Sequence, residues 1–205
     1  MSDRFSDLFT AEVSSSELAR VVVVGTSCTG KSTFSRALSN HLGAPHIELD
    51  ALDWLKDWQP RPAVEFRNLV EAVIAQERWV VDGNYGVVRD IVWPRATAIV
   101  WLNLPLPIVI GRALVRCVRR GLTSQEIYSG NVESFRRSFL SRDSILLWIV
   151  TSFHRRRREL SSLAASPQYR ALKFYQLRSS AEVASFLNGM SAEPQADQRT
   201  PITRV

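Results

Sequence analysis

Lysine, cysteine and histidine are scarce in this sequence of 205 residues. Its two cysteines, Cys28 and Cys117, lie far apart and match neither a CxxC pair nor a disulfide framework. Its three histidines, His41, His46 and His154, have no metal-ligand spacing and no partnered nucleophile, so we interpret them as structural. These shortages exclude a disulfide scaffold and a thiol metal centre, and they are typical of free thiols in a reducing cytoplasm.

Long hydrophobic runs are also absent. The longest apolar stretch, Ile145 to Val150 continuing to Phe153, is about half the length that a bilayer-spanning helix needs. The first twenty residues are too acidic and too polar for a signal or transit peptide. We therefore expect a soluble cytoplasmic monomer that does not insert into membranes. Its 45% hydrophobic content predicts one domain at residues 19–190, between a mobile N-terminal segment at 1–18 and a disordered tail at 191–205.

Positive charge comes almost entirely from arginine, which supplies 23 of the 26 basic residues in a chain of net charge +6. Planar guanidinium groups favour bidentate contacts with phosphate or carboxylate. The charge is compatible with nucleic acid, an anionic membrane surface or phosphorylated small molecules as partners. The base composition of the genome is an equally simple explanation for the high arginine content.

Apolar strands alternate with amphipathic helices along the chain. Val21 to Val24 form a continuous β-branched run that ends at Gly25, as in a strand buried on both faces of a parallel sheet. Strands are predicted at Val21–Gly25, His46–Leu49, Trp79–Val81, Thr97–Leu102 and Leu172–Leu177. Helices are predicted at Lys31–Leu42, from Pro62, and at Pro107–Arg120, Ser144–Leu163 and Ala181–Leu187, with a Trp-rich loop at Asp50–Pro60 and an irregular segment at Gly121–Asp143. This alternation predicts an α/β fold in three layers around a doubly wound, five-stranded parallel sheet.

A complete phosphate-loop motif lies between the first strand and the first helix. Gly25-Thr26-Ser27-Cys28-Thr29-Gly30-Lys31-Ser32 matches G-x-x-x-x-G-K-[ST]. Its backbone N–H groups, continuing to Thr33, are expected to hold ATP phosphates at the helix N-terminus. Lys31 would bridge the β- and γ-phosphates and the Ser32 hydroxyl would ligate Mg²⁺, while Cys28 receives no redox role. A chance match is the alternative.

Carboxylates end the next two predicted strands. Asp82 follows Trp79-Val80-Val81 and is the candidate Walker B residue that holds Mg²⁺ directly or through water, although Asp before Gly is also ordinary turn chemistry. Carboxyl ends of neighbouring parallel strands open onto one crevice. We therefore predict that the acceptor substrate binds among side chains that follow the second and third strands, namely Asp50, Asp53, Trp54, Asn84 and Tyr85. The alternative is that Trp54 and Trp58 only cover an edge of the hydrophobic core.

Arginines follow the fourth strand and recur in the last long helix. Arg112, Arg116, Arg119 and Arg120 share one arc of a helix and predict an Arg-rich helical lid at about residues 116–158, or a solvated basic face. The run Arg155 to Arg158 fans over about 300°, so at most two of its members reach a ligand, and Arg155 is the predicted substrate contact. Further lid candidates are Arg136, Arg137 and Arg142.

Taken together, these motifs resemble P-loop kinases of the adenylate kinase type, and within them the bacterial adenylate kinase-like or DNA topology modulation proteins. The resemblance spans about residues 21–187 and rests on the loop with Asp50–Trp54, Trp79–Tyr85, Trp101–Pro105 and Ser141–Trp148. It implies a P-loop NTPase fold of the nucleoside monophosphate kinase type with strand order 2-3-1-4-5. It also implies catalytic roles for Lys31, Asp82, Arg116 and Arg120, with Arg116 on the adenine, Arg120 on a phosphate and the Arg178–Ser180 turn closing over the adenine.

The sequence departs from true adenylate kinases on the acceptor side. The segments after the second and third strands lack the arginines that grip the AMP phosphate in that family, and Arg89 is the nearest one. The resemblance thus implies a kinase that transfers the γ-phosphoryl of ATP, with Mg²⁺, to a nucleotide or small-metabolite acceptor. Two alternatives stay open: a regulatory P-loop protein that acts on nucleic acid or a protein partner, and a toxin kinase that phosphorylates a nucleotide sugar.

Overall fold

The computed structural model describes residues 17–123, 130 and 145–190. Its strands are β1 (Arg20–Gly25), β2 (His46–Glu48), β3 (Trp79–Asp82), β4 (Ala98–Leu102) and β5 (Lys173–Leu177). Its α-helices are α1 (Lys31–Leu42), α2 (Leu49–Asp53), α3 (Ala63–Val73), α4 (Arg89–Val92), α5 (Leu106–Thr123), α6 (Ile145–Ala165) and α7 (Ser180–Asn188). Short 3₁₀ turns occur at Lys56–Trp58, Gly86–Val88, Trp93–Arg95 and Pro167–Tyr169.

The five strands form one parallel sheet in the order β2-β3-β1-β4-β5. This confirms the predicted α/β class and strand order. β1 is the central strand, and its residues Val21 to Val24 are buried on both faces of the sheet. Its register places Val23 beside Asp82 of β3 and Val100 of β4, so the ends of these strands meet at one edge.

Alternate residues of the strands face two separate cores. Val22, Val24 and Val81 pack with α3, α4 and Leu160 of α6 on one face. Val21, Val23 and Val80 pack with α1 and α7 on the other. A smaller cluster joins Leu104, Val109 and Ala113 to Ile149 and Phe153 of α6. The cores require a three-layer arrangement, since the strands are apolar on both sides and each face must be covered.

Some predicted element boundaries differ from the observed ones. Leu18, in the segment 1–18 that was predicted to be mobile, is fully buried in the α1-side core. Asp50 to Asp53 lie in helix α2, where a loop was predicted, because five residues carry no helical periodicity to detect. Helix α5 extends three residues beyond Arg120. The middle of the predicted lid, with Arg136, Arg137 and Arg142, lies outside the described residues, as do the tail 191–205 and residues 1–16.

Membrane insertion can be checked against the helices. Among the residues described, no helix combines the length and the apolar character that a bilayer span needs.

Candidate functional site

The phosphate loop runs from the last residue of β1 to the first turn of α1, and it closes on itself. Thr29 donates from its backbone N–H and from its hydroxyl to the carbonyl of Thr26, at 3.3 and 2.8 Å. Gly25 has φ 154°, and a Cβ there would lie 2.8 Å from the carbonyl oxygen of Leu102 and 2.9 Å from Thr29 Oγ1. Only glycine fits this position. Gly30, with φ 94°, turns the chain into the helix.

The start of α1 suits an anion. Helix α1 begins at Lys31, and its N-cap Gly30 has no side chain to satisfy the N–H groups of the first turn. No acidic residue occupies that turn either. Ser32 is half-buried and Thr33 exposed there, and Ser27 is half-buried in the loop. These groups fit the phosphates of a nucleotide, which would supply the missing acceptors and the negative charge.

Lys31 contacts the phosphate loop, and its charge interacts with those of two carboxylates. Its Nζ donates to the carbonyl of Thr26 at 3.3 Å. Burial lowers the pKa of the Lys31 ammonium, while the carboxylates of Asp50 and Asp82 act in the opposite direction. Lys31 is therefore a partly desolvated cation whose charge is balanced by Asp50 and Asp82.

Asp82 is almost completely buried at the carboxyl end of β3, with 2% of its surface exposed. It accepts a hydrogen bond from His46 Nε2 of β2 at 2.8 Å. The sequence alone predicts only a structural role for this histidine. Within the described ranges, no three His, Cys, Asp or Glu side chains gather into a metal centre. A hydroxyl and one buried carboxylate, Ser32 and Asp82, do fit a Mg²⁺ ion that a nucleotide brings with it.

Asp50, Asp53 and Tyr85 form a polar group beside the loop. The Tyr85 hydroxyl donates to Asp50 Oδ1 at 2.6 Å. Burial and the charges of Asp50 and Asp53 hold the pKa of Tyr85 well above its usual range. Burial also raises the pKa of Asp53, against an opposing hydrogen bond from Tyr85 and the charge of Arg61. The structure thus brings three of the predicted acceptor residues together.

Trp54 borders this group, and its half-buried ring meets Trp58 edge to face with the centroids 5.8 Å apart. Both rings belong to a short loop that is closed by the bridge between Trp54 and Pro60. A small cleft lies alongside, lined by Leu49, Gly83, Tyr85, Val88, Arg89 and Trp93.

Asn84 lines the cleft, and its amide bonds to the phosphate loop. Its Oδ1 accepts a hydrogen bond from Gly25 N at 3.2 Å, and its Nδ2 donates to the Gly25 carbonyl. A side-chain amide that pairs with both backbone groups of one residue behaves like an extra strand partner. Asn84 therefore holds the first glycine of the phosphate loop against the end of β3.

Two arginines of α5, Arg112 and Arg116, contact the phosphate loop. Arg112 donates to the Thr29 carbonyl at 2.7 Å and to Ser180 Oγ at 3.1 Å, which joins the loop to the start of α7. Arg116 Nη1 lies 3.9 Å from Cys28 Sγ, and the side chain of Arg120 lies outside the described part of the structure. Arg178 is exposed and donates to Gln176 Oε1 at 2.9 Å.

Arg156, and not Arg155, is the member of the arginine run that turns inward. Arg155 is exposed, whereas the Arg156 guanidinium packs 4.6 Å from the centre of the Trp148 ring. Its buried Nε has no hydrogen-bond partner among the described residues. Burial lowers the pKa of Arg156, and its charge interacts with those of Asp50 and Lys31. The signal was present: Arg156 continues the 3-4 spacing of Ile149, Phe153 and Leu160, which are all buried.

Arg89 also borders the cleft. It pairs with Glu159 of α6 at 2.7 Å and lies 5.4 Å from the centre of the Trp93 ring. The positive charge of Arg89 is thus already paired with the carboxylate of Glu159.

Comparison with solved structures identifies the fold. A shikimate kinase from Bacteroides thetaiotaomicron aligns over 83% of this chain and 94% of its own, with a TM-score of 0.52 and 15% sequence identity. The chain therefore shares its overall fold with this kinase. Two further alignments have TM-scores below 0.5 and carry no argument: a shikimate kinase from Aquifex aeolicus (0.48, 14% identity, 83% and 95% covered) and a gluconokinase from Sinorhizobium meliloti (0.43, 19% identity, 84% and 91% covered).

No protein-family model and no curated protein matches the chain. The narrower resemblance to adenylate kinase-like and topology modulation proteins therefore stays a prediction. At 15% sequence identity, the similarity to the shikimate kinase supports the fold alone.

Proposed function

We propose that this protein is a kinase that transfers the γ-phosphoryl group of ATP to a hydroxyl of a nucleotide or small metabolite. The observation that carries the proposal is Lys31, which is held in the phosphate loop by its hydrogen bond to Thr26 and whose charge interacts with those of Asp50 and Asp82. A loop that only binds phosphate needs the cation and the N–H groups. Nearby carboxylates add the groups that phosphoryl transfer to a hydroxyl requires.

On the donor side, the loop from Gly25 to Ser32 would hold the phosphates with its N–H groups, and Lys31 would neutralise the transferred group. Ser32 and Asp82 would hold Mg²⁺, which when bound neutralises charge on the β- and γ-phosphates. Arg112 takes the place that the resemblance implied for Arg116, because it joins the loop to the Ser180 end of α7, next to the turn expected over the adenine.

On the acceptor side, Asp50 would receive the proton of the acceptor hydroxyl while that oxygen attacks the γ-phosphorus. The bond from the γ-phosphorus to the bridging oxygen breaks, ADP leaves, and the proton passes from Asp50 to solvent. Tyr85, which donates to Asp50 Oδ1, fixes the carboxylate in place. Arg156 would add further positive charge, since its partially buried guanidinium interacts electrostatically with Asp50 and Lys31.

The first experiment is ADP production from ATP and Mg²⁺, alone and with a panel of nucleoside monophosphates, nucleosides and sugar acids. One acceptor should stimulate ADP release strongly. Lys31→Ala should reduce that turnover about a hundredfold or more, since it removes a charge that acts on the transferred group. Lys56→Ala, which changes an exposed lysine outside the loop, is the matched control. Full turnover in a folded Lys31→Ala protein would contradict the proposal.

A second candidate function is a regulatory P-loop protein that binds a polyanion. Arg155, Arg157 and Arg158 are all exposed on α6, so a basic surface is available beside the site. ATP binding without stimulation by any acceptor would favour this function, together with nucleic-acid affinity that falls steeply with salt and is lost when the three arginines are replaced.

A further inference from the structure

His46 contacts Asp82 from the neighbouring strand. The two residues lie on the same face of the sheet: His46 begins β2 and pairs with Val80, and Asp82 ends β3 two residues further on, in register with Glu48. Nε2 of His46 is 2.8 Å from Asp82 Oδ2, and the side chains are only 12% and 2% exposed. An ionised carboxylate can only accept, so the imidazole donates.

The other ring nitrogen is also bordered by a carboxylate. Nδ1 of His46 lies 3.8 Å from Glu48 Oε1, and Glu48 pairs with Arg36 of α1 at 3.3 Å. The imidazole is therefore held between two acidic side chains, one of which is tied to the helix that follows the phosphate loop. Its ring orientation is determined by the fold and does not depend on a bound ligand.

This arrangement determines how Asp82 presents its carboxylate. A free aspartate rotates about χ2 and exchanges its two oxygens. A hydrogen bond to Oδ2 removes that freedom, so one oxygen is committed to His46. Carboxylates that bind metal ions are commonly oriented in this way by a hydrogen-bonded neighbour, whose loss costs about 10- to 100-fold in metal affinity.

We propose that His46 is a positioning residue, which fixes the Asp82 carboxylate for the Mg²⁺ complex of ATP. The inference rests on the proposed function, because it takes Asp82 as the metal-side carboxylate. It adds a residue outside the phosphate loop and the acceptor cleft, and it assigns that residue a directional hydrogen bond through Nε2.

Two replacements of His46 separate this hydrogen bond from simple space filling. In His46→Gln, the amide nitrogen is as many bonds from the backbone as Nε2 and can donate to Asp82. In His46→Asn, the amide nitrogen is one bond closer to the backbone, at the position of Nδ1, and does not reach. Both are neutral amides that keep a polar group in the strand. His41→Asn, at an exposed histidine of α1, is the unrelated control.

The measurement is ATP binding by calorimetry, with Mg²⁺ and with EDTA, alongside thermal unfolding of each variant. In the wild-type protein, Mg²⁺ should strengthen ATP binding. His46→Asn should reduce that Mg²⁺-dependent gain by about tenfold, with little change in EDTA, whereas His46→Gln should retain most of it. Adding His46→Asn to Asp82→Asn should cause no further loss of the gain, because the two residues act as one unit.

The remaining outcomes overturn the proposal. Equal binding by the Asn, Gln and wild-type proteins would show that the hydrogen bond does not orient Asp82. Equal losses with Mg²⁺ and with EDTA, accompanied by lower thermal stability, would show that His46 is only structural. A wild-type protein that binds ATP without any effect of Mg²⁺ would remove the metal role of Asp82 and this inference with it. Absence of ATP binding would refute the proposed function itself.

Discussion

Removing the Asn84 side chain should loosen the phosphate loop. Asn84→Ala deletes two hydrogen bonds between the side chain and the backbone of Gly25, at a site that is partly buried. A net value of about 1 kcal/mol for each bond gives a loss of about 2 kcal/mol in the free energy of unfolding. For a domain of this size, that loss lowers Tm by about 4–8 °C. Because Gly25 begins the loop, ATP affinity should fall as well.

Asn84→Asp refines the test. The carboxylate keeps the acceptor for Gly25 N–H but loses the donor and places a negative charge against the Gly25 carbonyl oxygen. This variant should be at least as unstable as Asn84→Ala. Asn68→Ala, at an exposed position of α3, is the matched control and should leave Tm nearly unchanged. If Asn84→Ala keeps its stability and its ATP affinity but raises KM for the acceptor, Asn84 binds substrate and our interpretation of its contacts is wrong.

Two further predictions concern Arg112 and Tyr175. Arg112→Ala should weaken ATP binding about tenfold, because two hydrogen bonds from a charged donor to Thr29 and Ser180 are lost. Arg112→Lys should recover only part of the lost affinity. Arg119→Ala is the control, and equal ATP affinities of the Arg112→Ala and wild-type proteins would refute this role of Arg112. Burial and Glu17 raise the pKa of Tyr175 to about 12, so its contribution to stability is complete below pH 10, where the unfolded state begins to ionise, and declines toward pH 12. Tyr175→Phe should make unfolding free energy fall less steeply between these values, and an unchanged slope would contradict that pKa.

The phosphate loop could be predicted from sequence because it is local. Eight consecutive residues carry its chemistry, and the strand before them and the helix after them have clear periodicity. The same holds for the α/β class, which follows from alternating apolar strands and amphipathic helices. Helix α2 escaped detection because its five residues are fewer than two helical turns.

The contacts between distant segments were the ones missed. His46 and Asp82 are 36 residues apart, and Asn84 and Gly25 are 59 apart. Strand order makes β2 and β3 neighbours, but side-chain direction depends on where each strand begins and ends. Helix phase has the same limitation. The sequence did not assign Arg112 its contact with Thr29, and it did not distinguish the half-buried Arg156 from the exposed Arg155, which is about 100° away around the helix.

Electrostatic balance explains why these missed contacts belong to the site. Three carboxylates stand at the end of β3 and in the adjoining α2, namely Asp82, Asp50 and Asp53. The charge of Lys31 interacts with those of Asp50 and Asp82, and the charge of Arg156 interacts with that of Asp50. A nucleotide would add several negative charges to this region, next to carboxylates that are partly or wholly buried. The protein reduces that repulsion by giving Asp50 and Asp82 a fixed hydrogen-bond donor each, Tyr85 and His46. The two cations, and a metal ion carried by the nucleotide, can then act on the phosphates, so removing either donor should cost nucleotide affinity even though neither residue need touch the nucleotide.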